Sequence, residues 1–587
     1  MKSLQKLNIF LWKYKWRLLL GFLFTICANF VQVYSVTFIR HAVNTVEELL
    51  ANFGSSTELT LDSLKTGLMY ASFAFLGFKV LGGALTVGTR QMIIVTSRLI
   101  EFDLKNKIYK HYQYLSLSFY KKNKTGDLMN RITEDVSLVR MYLGPGIMYP
   151  VDLVSRVAII GYFMSRVDTD LTLYTLLPLP VLSFLIYNVA NRINQRSKRV
   201  QQQQSTISSS VQDTFAGIRV IKSFNTEQNV KDNYALEAEE YQKRALHLSQ
   251  IQAAFGPLMV VVVGISNLII LYLGGLKYIQ GDLDIGAIAE FFLYLNMLIW
   301  PFTSLGWITT VVQRAEASMA RINEFLDFKS EIKDQPENHI DVQGEIEFSN
   351  VTYTYENTGI TALKNISFKI KKGETLAILG STGSGKSTIA LLIARLLEPT
   401  SGEIYFDGHH IHDVSVSSIR KQIGYVPQEA FLFSDSLTNN ILFGSDQENV
   451  EVAKQFAHKA AVANNIEGFK EKYDTVVGER GVTLSGGQKQ RISIARALVN
   501  NPNVLIFDDS LSAVDTETEE TILNNLASDF DAKTSIIITH RVSSAKNADH
   551  IIYLDEGKIV ESGTHEELLN IKGNYYELFN KQVMDVH

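Results

Sequence analysis

At 587 residues the chain is longer than one ordinary domain, and about two to four are expected. It is 46% hydrophobic with a mean hydropathy of +0.04, an average that hides long apolar runs before about residue 312 and a soluble-looking mixture after it. The net charge of −5 argues against nucleic acid as a partner, and the single cysteine, Cys27, excludes an intrachain disulfide.

Residues 4–16 mix Lys6, Lys13 and Lys15 with Trp12, Tyr14 and Trp16. That composition suits either a short helix in a membrane interface or a plain cytosolic helix. No cleavable signal is evident, because the apolar stretch after Arg17 is long enough to span a bilayer and lacks a cleavage site. Hydropathy predicts six spans, over roughly 18–40, 67–90, 140–164, 170–191, 252–277 and 286–311, each near the ~20 residues a bilayer core needs. The first segment and the 97–131 loop are rich in Lys and Arg, whereas the 41–66 loop carries Glu47, Glu48, Glu58 and Asp62. The positive-inside rule then puts the N-terminus in the cytoplasm, and six spans return the chain there.

The connections 97–138 and 192–250 are too long for turns and have charged helical patterns, so they read as membrane helices continuing into the cytoplasm. They contain Ser118-Phe119-Tyr120 through Gly126 to Arg131, and Phe215 to Phe224 around Gly217. These are either docking elements or solvated connectors, and the two glycines allow a turn or a close backbone approach. Gln201 to Gln204 reads as a solvated helix face. Lys79, Asp152, Arg156 and Glu290 fall within the expected spans. Ionisable groups at that depth face a cavity or a partner; Asp152 and Arg156, four apart, suit either a structural pair or a substrate cavity. Gln313 to Phe328 reads as the cytoplasmic end of the sixth helix and Lys329 to Gln343 as a linker, giving expected domains at 1–328 and 344–587.

From Gly344 the pattern turns to short strands, with alternation over Phe348–Tyr355 and Leu363–Ile370. An apolar strand, Thr375–Leu379, then leads into Gly380-Ser381-Thr382-Gly383-Ser384-Gly385-Lys386-Ser387-Thr388 and a helix over 389–397. Strand, Gly-rich loop and helix start are the setting of a P-loop, whose backbone N–H groups wrap a triphosphate. Lys386 would reach the β/γ-phosphates and the Ser387 hydroxyl would ligate Mg²⁺. Further on stand Leu484-Ser485-Gly486-Gly487-Gln488 and the apolar strand Val504–Asp508, whose terminal carboxylate is suited to hold Mg²⁺ through water.

In order and spacing these motifs resemble those of ABC exporters, and the resemblance covers essentially the full length. It implies a multi-domain half-transporter: an all-α polytopic six-helix membrane domain followed by an α/β P-loop ATPase domain, in the cell membrane with both termini cytoplasmic. It implies ATP and Mg²⁺ as cofactors. By resemblance Tyr355 stacks on adenine, Gln428 reaches Mg²⁺ and the attacking water, Glu479 belongs to a loop that touches the cytoplasmic loops, Asp515 lies in a loop crossing to the partner, and His540 is the switch at the γ-phosphate. ATP in this family lies between one chain's P-loop and the Ser485-Gly486-Gly487-Gln488 motif of another, so a second half-transporter is an implied partner, beside membrane lipid and a hydrophobic small-molecule substrate.

One residue departs from the pattern. After the Mg²⁺ aspartate the family usually has Glu as base or polariser for water, and here the position is Asp509. The side chain is shorter by one methylene, about 1–1.5 Å, and a displacement of ~1 Å can cost on the order of 10²-fold in rate. Slow turnover at this chain's own site is expected. The weak-site member of a heterodimer is favoured over a homodimer with two slow sites. The expected function is ATP-driven export of a drug-like or lipid compound. The alternatives are peptide export or an ATP-binding regulatory subunit with little turnover.

Overall fold

The computed structural model describes residues 2–51, 58–335, 337–478, 484–512 and 514–584. The chain forms two compact units, Met1–Gln113 with Gly126–Phe328, and Tyr114–Thr125 with Lys329–His587.

The first unit is helical throughout. A 3₁₀ turn, Ser3–Leu7, and a short helix, Asn8–Lys13, precede the long helix Lys15–Ala51. Trp12 and Trp16 are exposed, as side chains of an interfacial segment are. Helix Glu58–Tyr114 runs for 57 residues. At 1.5 Å per residue that is about 85 Å, far beyond a bilayer core of ~30 Å. Helices Glu227–Gln280 and Ile285–Asp327 likewise outrun the membrane, so the charged connections are helix continuations.

Among the described residues, five helical stretches are long and apolar enough to cross a membrane: Lys15–Glu48, Lys65–Tyr114, Thr125–Val167, Glu227–Gln280 and Ile285–Asp327. The fourth expected span, 170–191, is not one helix. It is divided between Thr169–Leu176 and Pro178–Ala216. Pro178 and Pro180 bring no N–H, so the hydrogen-bond ladder is interrupted after Leu177, which itself keeps helical dihedrals and bonds the Leu173 carbonyl. Asp168 caps the first of them by accepting from Leu171 N at 2.7 Å. Gly217 lies between helices Pro178–Ala216 and Ile218–Phe224. Gly126, by contrast, sits inside helix Thr125–Asn130, and a Cβ there would meet nothing within 4 Å, so it supplies neither turn nor close approach.

The core of this unit is built on Phe291, Tyr294, Leu295 and Leu298, packed against Val33, Ile160 and Met164. Spacings of three and four place them on one helix face. Glu290 is buried there, accepting from Tyr294 Oη at 2.6 Å and pairing with Arg40 Nη1 at 3.4 Å. Lys79 Nζ stands over the Phe75 ring, 5.2 Å from its centroid.

The second unit contains two sheets. Strands β1 (Ile346–Tyr355), β2 (Ile360–Ile370), β4 (Ser401–Phe406) and β5 (His409–His410) form an antiparallel sheet in the order β2-β1-β4-β5. Strands β3 (Thr375–Gly380), β6 (Ile423–Val426), β7 (Val504–Asp508), β8 (Thr534–Ile538), β9 (His550–Asp555) and β10 (Lys558–Gly563) form the other, in the order β10-β9-β3-β8-β7-β6. All its neighbours are parallel except β9 and β10. Strands β7 and β8 are buried at every position, as befits central parallel strands covered on both faces. Between β1 and β3 this organisation follows the expected strands closely; the helix after the P-loop, Lys386–Ile393, is shorter than 389–397 suggested at its far end.

Candidate nucleotide site

The carboxyl ends of β3, β6, β7 and β8 lie at one edge of the parallel sheet, the place where open α/β sheets hold ligands. Each contributes to one groove of about 850 Å³, lined among others by Tyr355, Lys386, Gln428, Asp509 and His540. Strand β3 ends at Gly380, whose φ is +146° and where a Cβ would lie 2.0 Å from the Leu554 carbonyl oxygen. Gly385 has φ +103°, and a Cβ there would meet the Ala362 carbonyl at 2.4 Å. Only glycine passes at either point. Helix Lys386–Ile393 starts immediately after, so its first-turn N–H groups, which lack intrahelical partners, face the loop.

Lys386 Nζ donates to the carbonyls of Gly380 at 2.9 Å and Ser381 at 2.8 Å, which curls its side chain over the loop. Burial pulls its pKa below the usual lysine value against the raising effect of Asp509 and Asp508. Ser387 Oγ donates to Asp508 Oδ1 at 2.7 Å, and Tyr425 Oη donates to Asp508 Oδ2 at 3.1 Å. Asp508 is 3% exposed, and burial raises its pKa despite those two donors. Thr388 Oγ1 lies 3.1 Å from Tyr355 Oη. Ser384 Oγ is buried with no partner among the described residues.

Asp509 follows β7 in the left-handed region, φ +48°. His540 Nδ1 lies 3.0 Å from its Oδ1, and Gln428 Nε2 donates to its Oδ2 at 3.2 Å. The carboxylate therefore bridges the residues that leave β6 and β8. His540 is anchored from behind by Gln582 Nε2, which donates to its carbonyl at 2.6 Å.

Ser485 and Gln488 lie elsewhere, at the start of helix Gly486–Leu498, where they form a capping box. Gln488 N donates to Ser485 Oγ at 3.3 Å and Ser485 N donates to Gln488 Oε1 at 2.9 Å. Ser485 and Gly486 are exposed, and a Cβ at Gly486 would meet nothing within 4 Å. The lining of the groove at the P-loop contains none of Ser485, Gly486, Gly487 or Gln488. Asp515 caps helix Thr516–Ala532, accepting from Thr518 N at 2.9 Å. Glu479 lies outside the described residues.

Sequence reading missed one participant, Tyr425, and left one loop element between two readings. Tyr425 reaches Asp508 because β6 pairs with β7 in parallel register, Tyr425 opposite Ile506; its place two residues into the strand before Gln428 was the available signal. The short helix Leu117–Lys122 belongs to the same compact unit. Ser118 Oγ donates to Glu331 at 2.6 Å, Lys122 pairs with Glu356 at 2.5 Å, and Lys121 Nζ stands 5.1 Å from the centroid of the Tyr355 ring. The first part of this loop motif, Ser118 to Lys122, is thus packed within that unit and is not a free connector.

Comparison with known proteins agrees with this geometry. Residues 18–302 match the family described as ABC transporter transmembrane region, and residues 363–512 match the family described as ABC transporter. The chain is 35% identical to the probable multidrug resistance ABC transporter ATP-binding/permease protein YheI of Bacillus subtilis (strain 168), over 99% of this chain and 97% of that protein. It is 34% identical to an ATP-dependent lipid A-core flippase of Syntrophus aciditrophicus (strain SB), over 86% of this chain and 84% of that one. The solved structure of a bacterial Atm1-family ABC exporter with ATP bound superposes with a TM-score of 0.78 at 26% identity, covering 96% of this chain and 98% of that one. The chain belongs to the ABC transporters that fuse a helical membrane domain to an α/β ATPase domain, and it is a multi-pass membrane ATPase coupled to transport.

Proposed function

We propose that the chain is one half of a dimeric exporter that uses ATP to move a hydrophobic or amphipathic compound across the cell membrane, with both termini in the cytoplasm. The observation that carries this reading is the convergence of Lys386, Ser387, Asp508, Asp509 and His540 at one sheet edge, in a chain whose other unit is made of membrane-length apolar helices. The two relatives described above, a probable multidrug resistance protein and a lipid A-core flippase, support an amphipathic cargo.

In this reading the loop Gly380–Thr388 wraps the triphosphate, Tyr355 stacks on the adenine, and Lys386 leaves the carbonyls of Gly380 and Ser381 for the β/γ-phosphates. The buried, unpartnered Ser384 Oγ and the glycine-only approach at Gly380 and Gly385 fit a phosphate cradle. Ser387 Oγ and the Asp508 carboxylate are hard oxygen donors side by side, and no group of three or more acidic, His or Cys residues that could cage a metal occurs among the described residues. That set fits Mg²⁺, which is commonly held by one or two protein oxygens plus substrate phosphates and which, when bound, neutralises phosphate charge. Gln428 completes the set. Asp509 takes up the proton of, or orients, the attacking water, and His540 holds Asp509 and the γ-phosphate in line.

A partner chain completes the site. Ser485, Gly486, Gly487 and Gln488 form a preorganised helix start, with Ser485 and Gly486 exposed to solvent, suited to a γ-phosphate presented by another chain. Helix Ile218–Phe224 exposes Val220 and Phe224, four apart on one face, an apolar pair suited to docking on the ATPase domain of the partner half. Because Asp509 replaces the longer Glu, we favour a partner that carries Glu, with this chain lending its intact Ser485–Gln488 motif to the faster site. The intact Gln428–Asp509–His540 bridge favours the second reading, a homodimer with two slow sites. A regulatory subunit rests on Asp509 alone.

The test is ATP hydrolysis in lipid nanodiscs with and without an amphipathic compound. Several-fold stimulation of the wild type and none of Lys386→Ala supports the reading. Unchanged turnover across a panel of amphiphiles overturns it.

A further inference from the structure

A cavity of about 420 Å³ opens inside the membrane unit between helices Lys15–Ala51, Glu58–Tyr114, Ile147–Val167 and Ile285–Asp327. Part of its wall is apolar and aromatic, from Met148, Tyr149 and Trp300. The rest is polar to a degree unusual at membrane depth. Gln32 Nε2 donates to Thr86 Oγ1 at 3.1 Å, and Asn29 Nδ2 donates to Ser155 Oγ at 2.8 Å, so those two amides are held in place by neighbours.

The charges do not balance. Arg90, Arg156 and Asp152 line the cavity. Asp152 and Arg156 pair at 3.1 Å through Nη2, both less than a fifth exposed. That pair leaves Arg156 Nε buried without an acceptor. Arg90 reaches the cavity from an exposed position on helix Glu58–Tyr114, and none of the ion pairs among the described residues includes it. One guanidinium without a counter-charge and one orphan guanidinium N–H make the cavity a donor site with no free carboxylate. Cations at membrane depth are costly unless paired, and a planar guanidinium is the side chain best matched to an oxyanion.

We infer that this cavity binds the anionic head group of an amphiphile, with Arg90 and Arg156 Nε donating to the head and Trp300 and Tyr149 packing on the apolar part. The inference rests on the export reading and narrows its cargo from hydrophobic compounds in general to anionic amphiphiles.

The test uses the full chain in phosphatidylcholine nanodiscs and reads Trp300 fluorescence as the difference between wild type and Trp300→Phe. Dodecyl phosphate, dodecyltrimethylammonium and inorganic phosphate are titrated in turn. Saturable change with dodecyl phosphate, at least 10-fold tighter than with the cationic compound or the free anion, is expected. Arg90→Gln is expected to weaken dodecyl phosphate binding at least 10-fold, with Arg90→Lys recovering part of it. Asp152→Asn, which frees Arg156, is expected to tighten binding several-fold, a gain that a merely loosened fold would not give. Equal or tighter binding of the cationic compound, equal binding of inorganic phosphate, or an unchanged Kd in Arg90→Gln overturns the inference. ATP turnover measured in the same discs separates the two readings. If the cationic compound binds and stimulates hydrolysis while dodecyl phosphate does neither, export stands and this site assignment falls. If dodecyl phosphate binds through Arg90 but no amphiphile stimulates, the site assignment stands and export falls.

Discussion

Replacing Asp509 by Glu should make the enzyme faster. The Asp509 backbone is fixed, its N–H donating to the Ile538 carbonyl at 2.8 Å and its carbonyl accepting from Ser512 Oγ at 2.6 Å. Its carboxylate is equally committed, 3.0 Å from His540 and 3.2 Å from Gln428. With the backbone pinned, an added methylene carries the carboxylate outward by about one C–C bond, ~1.5 Å. A ~1 Å error in placement costs on the order of 10²-fold, or about 2.7 kcal/mol of barrier. The predicted gain for Asp509→Glu is therefore on the order of 10- to 100-fold in kcat, with Asp509→Asn slower than wild type. A small fall in Tm should accompany the Glu variant, because the φ of +48° suits Asp better than Glu. Phosphate release by the chain purified alone, in lipid at saturating Mg-ATP, reads the effect. A Glu variant slower than wild type, with Asn abolishing a brisk wild-type rate, would refute the reasoning and point to a self-sufficient homodimer.

Gly380→Ala should unfold or grossly destabilise the ATPase domain, by more than ~4 kcal/mol, because its Cβ would lie 2.0 Å from the Leu554 carbonyl oxygen; urea denaturation checks this, and a near-native midpoint would contradict it. Tyr355→Ala should weaken a fluorescent ATP analogue by roughly 1–3 kcal/mol, the range for a lost base stack, while the melting temperature changes little. Ser485→Ala removes a capping box and should cost about 0.5–2 kcal/mol of stability, with a larger loss of ATP turnover in the assembled dimer than in nucleotide binding by the chain alone. Asp508→Asn should abolish hydrolysis yet stabilise the nucleotide-free protein at neutral pH. Burial raises the pKa of Asp508 above its unfolded value, so its destabilising effect is absent below the unfolded pKa and grows as pH rises toward the folded one. Thermal melts of the two proteins should converge below the unfolded pKa of ~3.9 and separate above it; parallel melts across pH would refute this.

Much of the nucleotide site was legible because its signals are local. Gly380, Gly385 and Lys386 carry the chemistry of one loop, and their neighbours in sequence are their neighbours in space. Asp508 could be named because an apolar strand ends on it. What the sequence did not disclose depends on long-range pairing. The contact of Tyr425 with Asp508 needs β6 beside β7, and the bridge from Gln428 through Asp509 to His540 needs β8 on the other side. The capping roles of Ser485 and Gln488 follow from a local pattern that was read only for its functional resemblance. In the membrane half hydropathy marks apolar length well but is blind to backbone hydrogen bonding, which is why 170–191 looked continuous although Pro178 and Pro180 divide it. The pairing of Asp152 with Arg156 was legible from their spacing of four, whereas the want of a counter-charge at Arg90 was not.

The most direct test of ATP-driven export is transport in sealed inside-out membrane vesicles from cells that make the chain, so that any partner half is present. A fluorescent amphiphile is followed on adding Mg-ATP, with wild type beside Lys386→Ala. ATP-dependent accumulation inside the vesicles by the wild type, lost in Lys386→Ala and lost when a non-hydrolysable analogue replaces ATP, is the predicted result. Accumulation that is equal in both proteins, or that proceeds without nucleotide, would contradict it.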